Sequence, residues 1–211
     1  MTENDDQRQT SVDFMAVVEY FLDNEPGIFE DCLDEFMAKV SPDPGLDQEE
    51  AEILLSLAAE WFAFDYRLPN GLTPMQEFAR SDPDGLGTRT LQTFDEAAAT
   101  HVATDFWLKE IDLDDGWMVL QPLHGDSEYR LRDIQAAQIF GSVGAVGIRI
   151  ARTGDEWVLP GGLVYFSAVP EVVLEEMVKT GALEEPRDFL DMVKECFGAD
   201  NQWRPVATEG D

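Results

Sequence analysis

Lysine, histidine and cysteine are scarce in this chain, and each scarcity removes a class of function. Lys39, Lys109, Lys179 and Lys194 are the only lysines; with ten arginines they face 44 Asp and Glu, for a formal charge of −30. Nucleic-acid binding rests on Lys and Arg displacing condensed counterions, so a surface this negative repels phosphate backbones, and it avoids anionic membranes for the same reason. Direct nucleic-acid binding is not expected. His101 and His124 are the only histidines, and neither stands in a His-x-x-His or Glu-x-x-His spacing, which argues against zinc. Cys32 and Cys196 are too few and too far apart for a disulfide framework or a metal cluster; each falls in an apolar helical stripe, the usual place of a buried free thiol. No apolar run approaches the roughly 18 residues that span a bilayer. The polar, acidic start from Met1 to Thr10 has no apolar core of a secretion signal, so the cytoplasm is the expected compartment.

Nucleotide and nucleophile motifs are missing too. Gly141, Gly144 and Gly147 recur every third residue, but a strand follows them where a dinucleotide loop needs a helix; bends in a small barrel are the better reading. Ser127, in His124-Gly125-Asp126-Ser127, is not in a Gly-x-Ser-x-Gly elbow. Asp82 and Asp84 before Gly85 resemble the start of a calcium loop, but the twelfth position is Thr93 where a Glu is required. No catalytic residue, cofactor or metal is assigned.

What is present is enough apolar material for a core: 44% of the residues, with 13 Phe and 5 Trp, excludes global disorder. Residues 1–9 read as a tail. Helical periodicity then runs through 10–105. A first helix starts at Thr10, with Asp13 as its capping partner, and carries Phe14, Val17, Val18 and Phe21. A second repeats Ile28, Phe29, Cys32, Leu33, Phe36, Met37 and Val40. A third is capped by Asp47 and Glu50 and runs past Trp61. A fourth opens on Thr73-Pro74-Met75-Gln76, a capping box with Pro in the first turn. A fifth spans about 90–104. From about Phe106 the period becomes two. Asp114-Asp115-Gly116 between apolar strands is a hairpin signal, and further turns at 125–126, 153–155 and 160–162 divide 106–169 into five or six short strands. Two helices at about 170–180 and 186–197 end at glycines, and 200–211 reads as a tail in which Trp203 is the one docking candidate. The expected fold is α+β: a helical N-terminal half, a small antiparallel β-barrel-like region of SH3-like or similar form, and a C-terminal helical pair, the whole compatible with one compact domain.

The stretch Glu60-Trp61-Phe62-Ala63-Phe64-Asp65-Tyr66-Arg67-Leu68, followed by Gly71-Leu72-Thr73-Pro74-Met75, resembles a segment of uncharacterised prokaryotic proteins, some of which carry a SEC-C zinc-binding tail. The resemblance covers about residues 10–168 in element order and implies helices first, a β-rich region after. It implies no activity. The closely spaced cysteines of a SEC-C tail are lacking here, so no zinc site carries over. Read physically, the segment is a helix end turning into a strap that buries Trp61, Phe62 and Phe64; the rival reading is a small groove lined by Trp61, Asp65, Tyr66 and Arg67.

Glu30, Asp31, Asp34 and Glu35 share one face of the second helix, a solvated face by default and a docking face for a basic partner if the charge is used. Arg130, Arg132, Arg149 and Arg152 are the one basic concentration. They form a patch for phosphate or carboxylate, or, as the better reading, pair with neighbouring acids at little gain each. Three functions remain open: a non-enzymatic binding or regulatory protein engaging a basic protein, as a nucleic-acid mimic or an immunity-type inhibitor; an enzyme built on carboxylates and a divalent metal; and an acidic housekeeping protein of a salt-loving organism, whose charge has no partner.

Overall fold

The computed structural model describes residues 12–82, 85–168, 172, 173, 176, 179 and 186–200. Both expected tails, with Trp203, lie outside these residues, as do Pro83 and Asp84. Most of the helix expected at 170–180 also lies outside them; Val172, Val173, Glu176 and Lys179 are helical. The expected α+β architecture is observed, with seven described helices around a small closed barrel.

The helical half follows its caps. Helix α1 (Phe14–Asn24) buries Phe14, Val17, Val18 and Phe21; it begins with Asp13 at the N-cap position, whose side chain caps nothing, so the expected capping role is corrected. Helix α2 (Pro26–Val40) buries Cys32, Phe36 and Val40, one turn apart, and ends at Ser41 in the left-handed region, φ 51°. Helix α3 (Gln48–Phe64) carries the Asp47/Glu50 capping box, and every residue from Leu57 to Phe64 is buried. Helix α4 (Pro74–Ser81) opens on the Thr73/Gln76 box. Helix α5 (Thr88–Thr100) is shorter than expected, because its C-cap His101 turns extended and the first strand starts at once.

Strands β1 (Val102–Ile111), β2 (Trp117–Pro122) and β3 (Tyr129–Arg132) form an antiparallel meander. The β1–β2 turn has Gly116 at φ 73°, and a Cβ there would strike Ile134. A short helix, α6 (Ile134–Phe140), follows, capped by Asp133 through Ala136 N–H; the sequence reading contained no helix here. Strands β4 (Gly144–Thr153), β5 (Glu156–Val158) and β6 (Leu163–Ser167) complete the sheet. Its order is β1-β2-β3-β5-β4, closed by β4 pairing with β1, with β6 added outside on β4. The barrel is not wholly antiparallel: β3 and β5 run parallel through a single pairing, Leu131 with Trp157. Helix α7 (Phe189–Phe197) closes the chain, and its end is stitched to the α2–α3 loop by Asp43 N–H to the Phe197 carbonyl at 2.9 Å and Ala199 N–H to the Ser41 carbonyl at 2.9 Å.

Strand β4 is the wall between two cores. Val146, Ile148 and Ile150 point into the barrel with Phe106, Leu108, Met118, Leu120 and Leu131. Ala145, Gly147, Arg149 and Ala151 alternate onto the outer face, and Ala151 joins the core of the helical half with Phe189 and Met192. Burial on both faces explains why this strand reads as a near-continuous apolar run. Gly144 and Gly147 do not make bends. They let β6 lie close: a Cβ at Gly144 would strike the Ser167 carbonyl, and one at Gly147 the Tyr165 ring. Gly141 instead ends α6 in the left-handed region at φ 65°.

Candidate functional site

Two ionic clusters lie on the outer face of the barrel where the helices dock. Arg149 projects from β4 into the helical core with its side chain fully buried. Its Nε donates to Glu60 Oε1 at 2.9 Å and its Nη2 to Asp65 Oδ2 at 2.5 Å. The guanidinium lies between the rings of Phe64 and Phe189, 4.6 and 4.7 Å from their centroids, a stacked cation–π arrangement for which Arg is suited. Nη1 approaches His101 Nδ1 at 2.6 Å. Guanidinium nitrogen only donates, so Nδ1 accepts and the ring proton sits on Nε2. Burial, and then the Arg149 charge, lower the His101 pKa to about 4. Glu60 also accepts Gly162 N–H at 2.7 Å. Burial raises the Glu60 pKa, and Arg149 opposes that shift.

The second cluster centres on Asp105 of β1, which is 2% exposed. Arg187, just before α7, donates to it from Nε at 2.6 Å and Nη2 at 2.7 Å. The Tyr165 hydroxyl donates to Asp105 Oδ1 at 2.6 Å. Asp105 pairs with Gly147 across the β1–β4 ladder, and Gly147 with Tyr165 across β4–β6. The absent side chain at Gly147 is therefore what lets the Tyr165 ring cross β4 to reach Asp105. Arg187 also pairs with Glu195 on α7. Burial, and then Asp105, push the Tyr165 hydroxyl pKa up. Burial alone would lower the Arg187 pKa, but its hydrogen bonds and charge contact with Asp105 raise it. Every charge in both clusters is partnered, which is the signature of a polar seam joining helices to barrel.

The sequence candidates are placed differently. Glu30, Asp31, Asp34 and Glu35 are all exposed on α2, and Glu35 pairs with Lys39 at 3.1 Å. Trp61, Asp65, Tyr66 and Arg67 take different partners. Trp61 is buried against Phe36 and Tyr66, with the Lys39 amine over its ring. Asp65 turns to Arg149, and Arg67 donates to the Gly71 carbonyl at 3.5 Å. The strap reading fits these placements. The four strand arginines also separate: Arg149 is in the seam, Arg152 pairs with Asp155 at 3.4 Å, and Arg130 and Arg132 flank the Trp117 ring. Trp117, Arg130, Leu131, Arg132, Asp155, Glu156, Trp157 and Val158 line a groove of about 230 Å³ on the barrel.

Among the described residues no group of three or more His, Cys, Asp or Glu is placed to hold a metal, and no helix is long and apolar enough to cross a membrane. Comparison with known protein families, curated proteins and solved structures gives no significant match.

The sequence reading missed Glu60, Asp105, Tyr165 and Arg187. For Glu60 and Arg149 a signal was present. Each is the only charge in an eight-residue run that is otherwise apolar or small, 57–64 and 144–151. Two such charges of opposite sign nominate each other, because a buried charge requires a partner.

Proposed function

We propose that this protein is a non-catalytic binding or regulatory protein whose acidic helical face engages a basic partner protein. The observation that carries the reading is α2, where Glu30, Asp31, Asp34 and Glu35 all stand exposed and one base, Lys39, pairs across the face. Carboxylates held this way on a rigid helix form a fixed negative field that steers a cationic surface to it. The deeply buried ionic groups are consumed in joining helices to barrel, so the surface is left as the working part. A nucleic-acid mimic and an immunity-type inhibitor are the two forms this takes. The kinship with SEC-C-associated proteins belongs to the same proposal, as a statement about architecture.

The test is retention of basic proteins from host lysate on immobilised protein, compared with a Glu30→Gln/Asp31→Asn/Asp34→Asn/Glu35→Gln variant. A discrete basic protein held by the parent at low salt, released at high salt and lost by the variant supports the reading. Retention unchanged by the variant removes it. Exposed acids also crowd other elements, among them Asp112, Asp114 and Asp115 in the β1–β2 turn and Glu49 and Glu52 on α3. That spread favours, as a second reading, acidity adapted to a salt-rich cell. Unfolding at low salt with recovery at molar salt would identify it, since salt screens self-repulsion.

A further inference from the structure

We infer that the barrel groove between β3 and β5 is a docking site for an extended, carboxylate-bearing segment of a partner protein, a surface opposite in polarity to the acidic face of α2. Three observations converge on the groove.

The first is its origin in the fold. β3 and β5 meet at one pairing only, Leu131 with Trp157. On their other sides they are held by β2 and β4. The concavity of about 230 Å³ sits at this junction, lined by the paired residues Leu131 and Trp157 and their neighbours on both strands. Extended segments bind beside such strands by main-chain contacts, with side chains of alternate parity reaching the walls.

The second is its lining. Trp117 is 37% exposed, unusually open for the largest apolar side chain. The β2–β3 register sets Arg132 directly opposite it and Arg130 opposite Val119 on the same face, and their guanidinium carbons lie 5.8 and 5.1 Å from the Trp117 centroid. Trp157, half-buried across the groove, is steadied by the edge of Tyr129 at 4.7 Å. Aromatic and arginine side chains on a firm backbone are the composition from which binding hot spots are made.

The third is charge. In a chain of 44 acids and 14 bases, Arg130 has no carboxylate within ion-pair distance among the described residues, whereas the strand arginines Arg149 and Arg152 do. Arg132 Nε donates to the Asp115 carbonyl at 2.7 Å, which fixes its guanidinium beside Trp117. Two acids share the rim. Asp155 is turned toward Arg152, and Glu156 stands at the start of β5. The ligand chemistry that satisfies this arrangement is a carboxylate on Arg130, bound as a charge-assisted pair, next to an aromatic or proline residue lying on Trp117 and Trp157. The overall charge of the protein is screened beyond about 8 Å at physiological ionic strength, so the local cations decide what the groove accepts.

The test is selection of a random-peptide library on the folded full-length protein, on Arg130→Gln and on Glu156→Gln, at physiological salt. The parent should enrich a class with Asp or Glu beside an aromatic or Pro. A synthetic peptide from that class should quench tryptophan fluorescence saturably. Its affinity should fall about tenfold in Arg130→Gln, the equivalent of one lost pair of about 1.4 kcal/mol, and should rise in Glu156→Gln, where a repelling charge is gone. Circular dichroism is the control that both variants fold. Basic peptides bound by α2 should be recovered equally from Arg130→Gln, which separates this site from the acidic face. Failure to enrich an acidic class, equal binding by Arg130→Gln, or displacement of the acidic peptide by oligothymidylate at lower concentration than by unlabelled peptide would each overturn the assignment.

Discussion

Replacing Arg149 by Met tests whether the two halves of the molecule are joined by charge or by packing. In the variant, Glu60, 0% exposed, keeps only Gly162 N–H as a hydrogen-bond partner. Asp65, 29% exposed at its side chain, can be rehydrated. The Met side chain still lies between Phe64 and Phe189 and recovers part of the contact. Removing one member of a buried pair costs about 3–5 kcal/mol; with the recovered contact and the rehydrated Asp65, the lower end, about 3 kcal/mol, applies. For a chain of this size that is a fall in Tm of roughly 6–12 °C. Glu60→Gln alone should cost about 1–2 kcal/mol, since Arg149 keeps Asp65 and the amide oxygen still accepts from Gly162. In the double variant no charge is stranded, and the loss should be about 2 kcal/mol rather than the sum of the singles. The coupling of about 2–3 kcal/mol lies within the range seen for residues in one network. Urea unfolding at fixed ionic strength measures all four proteins without the screening that guanidinium salt would add. Additive losses would refute the reasoning and show that the ring stack alone holds the guanidinium.

Stability should fall as the pH drops from about 6.5 to about 4, because the His101 pKa is depressed on folding. The contribution is fully present above the unfolded value and is lost as protons bind the unfolded chain first. His101→Gln should flatten the profile in that window, and an unchanged slope in urea midpoints would contradict it. Gly161→Ala places a methyl group on the carboxylate of Glu60, which is buried and held at both oxygens, so it should cost about 1–3 kcal/mol by overpacking; a loss below measurement error would mean that the 160–162 turn yields freely. Burial, and then Glu35, push the Cys32 thiol up to about 12, and burial pushes Cys196 up to about 11. Neither should react with a disulfide reagent at neutral pH until the protein unfolds, and rapid labelling of the native protein would contradict this placement.

Much of the fold was legible because its signals are local. Thr73-Pro74-Met75-Gln76 and Asp47 to Glu50 are capping boxes that act within one turn, and Asp-Asp-Gly between apolar strands specifies a hairpin without reference to the rest of the chain. The parallel closure was not legible, since one pairing between Leu131 and Trp157 leaves no periodic trace. Helix α6 has seven residues, too few for two full turns of pattern. Arg149 shows most clearly where sequence reasoning stops. Alternation with Ile148 and Ile150 says that its side chain leaves the barrel; only the docking of α3 and α7 on that face turns outside into buried. The acidic face of α2 was readable as a face, while the groove beside Trp117 depends on strands far apart in sequence being brought together.

The separation of the seam's partners along the chain has a consequence for synthesis. Glu60 and Arg149 are 89 residues apart, and Asp105 and Arg187 are 82 apart. At a ribosomal rate of about 5–20 residues per second, α3 waits about 4–18 s after Glu60 is made before Arg149 has been added. During that interval the nascent helical half holds a carboxylate at a position that the finished protein shields completely from water. It cannot settle into its final packing without either protonating Glu60 or leaving the end of α3 open. The N-terminal helices are therefore expected to remain loosely assembled on the ribosome and to lock only when β4 arrives, so that the protein becomes resistant to protease late and in one step.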